Sequence, residues 1–129
     1  MEGFTPPPVV TPISAPSDGA RAYVLSIEGD LSFWSAPHVQ REILAQTADE
    51  PADVVLDCSR VDFVDVRGLA ALLRVAERLR ADDRKFALVR LGAEPQRLVS
   101  LVDLDGHLHL FDTVEQATRG LSRISRVRH

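Results

Sequence analysis

The stretch from Val55 to Leu79 constrains the fold of this chain more than any other. A short apolar strand, Asp53-Val54-Val55-Leu56, passes through a polar break and a second apolar patch, Val61 to Val64, into Asp65, and a helical pattern begins directly behind that aspartate. In the helix, predicted from Val66 to about Ala81, Leu69, Leu72, Leu73, Ala76 and Leu79 form one stripe, while Arg74, Glu77, Arg78 and Arg80 face the other way. A stripe of this kind has to be covered, and the strand before it supplies the sheet on which it can lie. The start of the helix is a different matter. Its first N–H groups have no partner inside the helix and carry a partial positive charge, which makes it a natural docking or anion-binding spot. Here that spot holds Val66 and Arg67, and the sequence places the function there.

The rest of the chain alternates strand and helix in the same way. Tyr23, Leu25 and Ile27 alternate with Val24, Ser26 and Glu28 as a half-buried strand from Ala22 to Gly29. After Gly29-Asp30-Leu31-Ser32 the apolar spacing lengthens to that of a helix through Val39, Ile43 and Leu44, with Ser35 as N-cap, Pro37 in the first turn and an end near Ala48. Phe86 to Arg90 reads as a third strand, Glu94 to Val102 as a short helix and Leu108 to Leu110 as a brief strand. Thr113 to about Ser122 reads as a last helix, with Thr113 as its N-cap and Gln116 completing a capping box. Five of the eight prolines precede residue 17, so residues 1–19 are expected to form a tail or an edge strand at Val9 to Ser14, with one domain over residues 20–122 and a basic tail over 123–129. This order calls for an α/β fold, a mixed sheet of four to five strands with about four α-helices and parallel crossovers.

Composition narrows the function classes. With 129 residues, 45% of them hydrophobic and 26% charged, the chain can bury a core as one domain. The net charge of −4 disfavours a nucleic-acid partner, although Arg119, Arg123, Arg126 and Arg128 make the C-terminal end locally basic. No run is long enough to span a bilayer, and prolines stand where a signal peptide would be apolar, so a cytoplasmic protein is expected. The single cysteine, Cys58, rules out an internal disulfide and reads as a small buried residue. His107 and His109 face one side of a strand but lack further ligands nearby, and the strand-to-helix turns lack the glycines of a phosphate-cradling loop. No metal, no cofactor and no enzymatic activity are expected.

Five segments, in order, then acquire a family. Gly29-Asp30-Leu31-Ser32 with Ser35-Ala36-Pro37, Val55-Leu56-Asp57-Cys58-Ser59, Phe63-Val64-Asp65-Val66-Arg67-Gly68-Leu69, Leu104-Asp105-Gly106 and Phe111-Asp112-Thr113 together resemble the STAS domain, the family of bacterial anti-sigma factor antagonists and related modules. The resemblance implies the STAS fold and a protein-binding regulator that sequesters an anti-sigma factor of the serine-kinase type, with a homodimer left open. In phospho-switched members the residue after the signature aspartate is a serine, phosphorylated by the anti-sigma factor itself so that the complex breaks. Val66 stands at that position, Arg67 replaces the second signature serine, and Ser32 replaces a carboxylate. The resemblance thus implies a partner surface formed by Ser32, Trp34, Ser35, Asp65, Val66, Arg67, Gly68 and Leu69 that has lost its usual phosphorylation site. The alternative it allows is an unswitched STAS scaffold subunit of a stress-signalling or lipid-transport assembly.

The residues themselves leave several roles open. Asp65 is the N-cap of its helix whatever else it does. Val66 either meets a partner or packs under the preceding loop. Gly68 implies a close approach, by the sheet in the first instance. Arg67 is a cation at the wrong end of a helix dipole, which points to an acidic partner or to Asp62 or Asp65 nearby, against the simpler reading of a solvated side chain. Phe33 takes a position usually aliphatic in the family the chain resembles, which implies a place in the core. Trp34 is either an interface anchor or buried.

Overall fold

Branched and aliphatic residues concentrate in Tyr23–Ile27, Val54–Leu56 and Phe86–Val89, and in the computed structural model these runs lie side by side at the centre of the sheet. The structure describes residues 6–124. The elements are β1 (Val9–Ser14), β2 (Ala22–Leu31), α1 (Ala36–Gln46), β3 (Asp53–Val64), α2 (Val66–Arg80), β4 (Phe86–Val89), α3 (Ala93–Val102), β5 (Leu108–Phe111) and α4 (Val114–Arg123). Residues 1–5 of the expected proline-rich segment and residues 125–129 of the expected basic tail lie outside the described residues.

The sheet has the order β1-β2-β3-β4-β5, with β1 antiparallel to β2 and every other neighbour parallel. Strands are added in one direction, and parallel crossovers share one hand, so α1, α2 and α3 all land on the same face. There Val39, Ile43, Leu69, Leu72, Val75, Leu79 and Val99 close over Tyr23, Leu25, Ile27, Val54, Leu56, Phe86 and Leu88. The last helix, α4, crosses to the other face and buries Ala117 and Leu121 against Ala22, Val24, Val55, Ala87 and Val89. This cover corrects the reading of β2 as half-buried: at Val24 both faces of the strand are enclosed.

The stretch read as strand, polar break and apolar patch is one strand of 12 residues, β3. Its second half survives because β2 runs on beside it and continues the ladder, pairing Glu28 with Arg60, Asp30 with Phe63 and Leu31 with Val64, across two irregularities of register. Beyond Asp57 the strand has no pairing with β4, so the end of the β2–β3 pair projects past the sheet. The two strands finish together, and the loops that follow them emerge side by side.

On α2 the apolar stripe is displaced by a little from the spacing read in the sequence, with Val75 buried and Leu73 only half-buried. Arg84, a residue the sequence did not single out, is buried; its Nε donates to the Ala52 carbonyl at 2.7 Å and its Nη2 to the Thr47 carbonyl at 2.7 Å. Those two bonds fix the connection from α1 to β3 at the end of the molecule opposite the projecting pair.

Candidate functional site

Asp65 organises the site. As N-cap of α2 it has extended backbone, and its Oδ1 accepts from the Gly68 N–H at 2.8 Å. Its Oδ2 accepts from the Phe33 N–H at 3.2 Å, and its own N–H donates to the Leu31 carbonyl at 3.1 Å. One carboxylate therefore ties the loop after β2 to the first turn of α2. Gly68 makes the closeness possible: a β-carbon there would sit 2.1 Å from the Leu31 carbonyl oxygen. The glycine thus serves the packing of α2 on the end of β2, as the sequence implied.

The loop from Ser32 to Ser35 is held from inside. The Ser35 hydroxyl accepts from the Ser32 N–H at 2.9 Å and donates to the Asp30 carbonyl at 2.7 Å. Ser35 occupies the N-cap position of α1, but its side chain makes no capping bond and its backbone is helical, which corrects the expected cap. The hydroxyl is committed to the loop instead.

With the loops fixed in this way, a cluster of large apolar side chains stands out of the surface. Trp34 is 87% exposed, Phe63 52%, Phe33 49% and Val66 47%. Phe33 and Trp34 meet edge to face, with centroids 5.3 Å apart and planes at 64°, and the Arg67 guanidinium lies over the Phe33 ring at 4.7 Å. The expectation that Phe33 belongs to the core is corrected: Leu31 takes the last core position of β2, and Phe33 falls in the turn beyond it. Trp34 and Val66 are exposed, which excludes a buried Trp34 and a Val66 packed under the preceding loop. Arg67 stacks on Phe33 rather than pairing with Asp62 or Asp65, whose Oδ1 and Oδ2 accept the Gly68 and Phe33 N–H groups.

The other residues named from the sequence lie beneath this surface. Ser32, Ser35, Gly68 and Leu69 are buried, so they shape the patch without presenting side chains from it. Phe63 was missed as a surface residue because its apolar run reads as core. Only the register, which sets it beside Asp30 at the end of the projecting pair, turns it outward. Beside Trp34 a cavity of about 480 Å³ is lined by Pro6, Pro7, Pro8, Asp30, Ser32, Ser35 and His38.

Cys58 is buried, and His107 and His109 lie away from this patch. Burial, with some help from Asp57, pushes the Cys58 thiol up to about 12, which keeps it protonated and inert. His107 and His109 line a second cavity, of about 220 Å³, with Arg80, Asp83, Arg84 and Lys85 at the opposite end of the sheet, and burial lowers the pKa of His109. Among the described residues no three His, Cys, Asp or Glu side chains come together to hold a metal ion, and no helix is long and apolar enough to cross a membrane.

Residues 15–117 match the family model described as the STAS domain. The chain is 33% identical over 98 residues to the anti-sigma-F factor antagonist RsfB of Mycobacterium tuberculosis, a match covering 76% of this chain and 80% of that relative. An anti-sigma factor antagonist from Mycobacterium paratuberculosis superposes with a TM-score of 0.72 at 25% identity, over 92% of this chain and 99% of that one. The murine anion transporter Slc26a9 contains a similar fold, with a TM-score of 0.73 at 19% identity over 94% of this chain and 23% of the transporter. The likeness to the transporter is one of fold alone. A family model spanning most of the chain, a relative at one third identity and the five-stranded sheet with its helices on both faces agree: this chain belongs to the STAS domain family.

Proposed function

We propose that this chain is a cytoplasmic anti-sigma factor antagonist that binds its anti-sigma factor, of the serine-kinase type, through Phe33, Trp34, Phe63, Val66 and Arg67, with Asp65 holding the surface in shape. The observation that carries the reading is the exposed apolar cluster at the start of α2 in a chain whose relative is named an anti-sigma factor antagonist. Four large apolar side chains around one cation have the composition of an interface anchor rather than of an ordinary soluble surface. The role is one of binding, not catalysis.

Val66 determines how the surface is regulated. A phosphoserine would add roughly −1.5 to −2 charges at a helix N-terminus and surround an apolar docking patch with tightly held water. Valine offers no oxygen to phosphorylate, so the patch keeps one state and the antagonist is always competent to bind. Capture of kinase-type anti-sigma factors by the full chain tests this, with Phe63→Ala and Trp34→Ala alongside. The reading expects capture by the wild type and at least about tenfold weaker binding for each variant, in the range of interface anchors. Capture by no such factor, or full affinity in both variants, would overturn it.

A further inference from the structure

The cavity of about 220 Å³ lies where α2 finishes and β4 and β5 begin, so loops at the amino ends of the strands, not strand order, form the hollow. Because α2 has 15 residues, Arg80 at its end stands about 20 Å from Val66 at its start. Three cations, Arg80, Arg84 and Lys85, line the cavity against one carboxylate, Asp83, and His107 and His109 add two imidazoles. The carboxylates close by answer backbone groups. Asp103 accepts from the His107 N–H at 2.9 Å and the Leu108 N–H at 2.7 Å, and Asp53 Oδ1 accepts from the Lys85 N–H at 2.8 Å. The Arg84 guanidinium donates to two carbonyls, which are neutral and leave its charge in place. His107 Nδ1 is buried and has no hydrogen-bond partner among the described residues, a costly arrangement for a polar atom. Ala76, Phe86 and Ile124 give the cavity an apolar side.

We propose that this cavity binds a small phosphate ester, with the phosphoryl oxygens held by Arg80, Lys85 and His107 and the organic part against Ala76, Phe86 and Ile124. The donors come from three places in the chain: the end of α2, the turn before β4 and the start of β5. A tetrahedral phosphoryl group can meet donors from three directions, whereas a carboxylate offers two oxygens in one plane. The ester's ionisable oxygen also suits His107 in either tautomer, because an imidazole nitrogen donates or accepts according to its proton and the oxygen can do the converse. Arg84 contributes charge from behind this set, and the apolar side favours an ester over a bare ion. The site is independent of the docking role, since it lies at the far end of α2 and leaves the exposed apolar patch uncovered.

Imidazole ring protons report on the site directly, and His38, beside Trp34 at the other end of the molecule, is an internal control. The experiment follows these protons by NMR while the full chain is titrated with methyl phosphate and, separately, with acetate and with sodium chloride at matched ionic strength. The proposal expects saturable shifts of the His107 and His109 rings with methyl phosphate and a still His38. It expects no such shifts with chloride and at least about tenfold weaker binding of acetate. Arg80→Gln, a change at an exposed helix end, should weaken methyl phosphate by about tenfold, the loss of one charged hydrogen-bond partner. His107→Leu should do the same, read on the His109 ring. Shifts that chloride reproduces, or a titration left unchanged by Arg80→Gln or by His107→Leu, would overturn the site. Acetate binding as tightly as methyl phosphate would overturn its assignment to phosphate esters.

Discussion

Val66 and Cys58 show how much one side chain decides here. At the first position of α2, Val66 is half exposed within an apolar patch, and its surroundings make a clear prediction for Val66→Asp. A carboxylate at a helix N-terminus is favourable by about 0.3–1 kcal/mol, so the variant should melt no lower than the parent. Its charge nevertheless imitates part of a phosphate, and binding to the anti-sigma factor should fall by at least about tenfold, a loss within the range of interface anchors. Isothermal titration beside a melting curve separates the two effects. Cys58 makes the opposite case, a residue whose chemistry the fold suppresses. Its thiol is held at about 12 against 9.0 when unfolded, so it should resist maleimide at pH 8 until the chain is denatured. The sign for stability follows from the same shift. The native state keeps its proton between those two values while the unfolded state releases it, so this contribution is intact below pH 9 and is lost as pH rises toward 12. Denaturant titrations at a series of alkaline pH values, compared with Cys58→Ala, measure it.

At the scale of elements, α2 was the most legible part of the chain. An apolar stripe at helical spacing and an aspartate cap are local signals, and the helix runs from Val66 to Arg80 with Asp65 capping it. Thr113 capping α4 through the Gln116 N–H was readable for the same reason. What was hidden is what local pattern does not encode. The length of β3 depends on β2 being there to pair with it, and the outward face of Phe63 depends on a register with two irregularities. Phe33 was expected in the core because the matching position in the family is usually aliphatic, but it lies beyond the last core position of its strand. Gly68 joins the two kinds of evidence, because its place in the helix was visible and the reason for it is a contact with another element. Replacing it by alanine adds helix propensity of nearly 1 kcal/mol. Against that stands a β-carbon placed 2.1 Å from the Leu31 oxygen, a backbone atom that cannot rotate away. Overpacking of this kind outweighs the propensity, so Gly68→Ala should be less stable by about 2 kcal/mol in denaturant unfolding. An unchanged or raised midpoint would mean that α2 does not sit so close to β2.

At the scale of the whole molecule, topology explains why the proposed docking site is a surface rather than a crevice. Strand order follows chain order without reversal, so the sheet has no switch point at which a crevice would open for a small ligand. The fold instead extends the β2–β3 pair past its neighbours and places a capped helix beside it, bringing two loops and a strand end into one patch. The patch is rigid because Asp65, Ser35 and Gly68 bind its parts together from below, and it is apolar because Phe33, Trp34, Phe63 and Val66 face outward. In the proposed role such a preformed surface would dock without rearrangement, and Val66, directly after Asp65, offers no hydroxyl for a covalent switch at that position. The most direct measurement is a titration of the full chain with a serine-kinase anti-sigma factor, run with and without ATP and followed by mass analysis of the peptide containing Val66. The account predicts the same affinity in both conditions and no added phosphate. Loss of binding on addition of ATP, with phosphate on this chain, would contradict it.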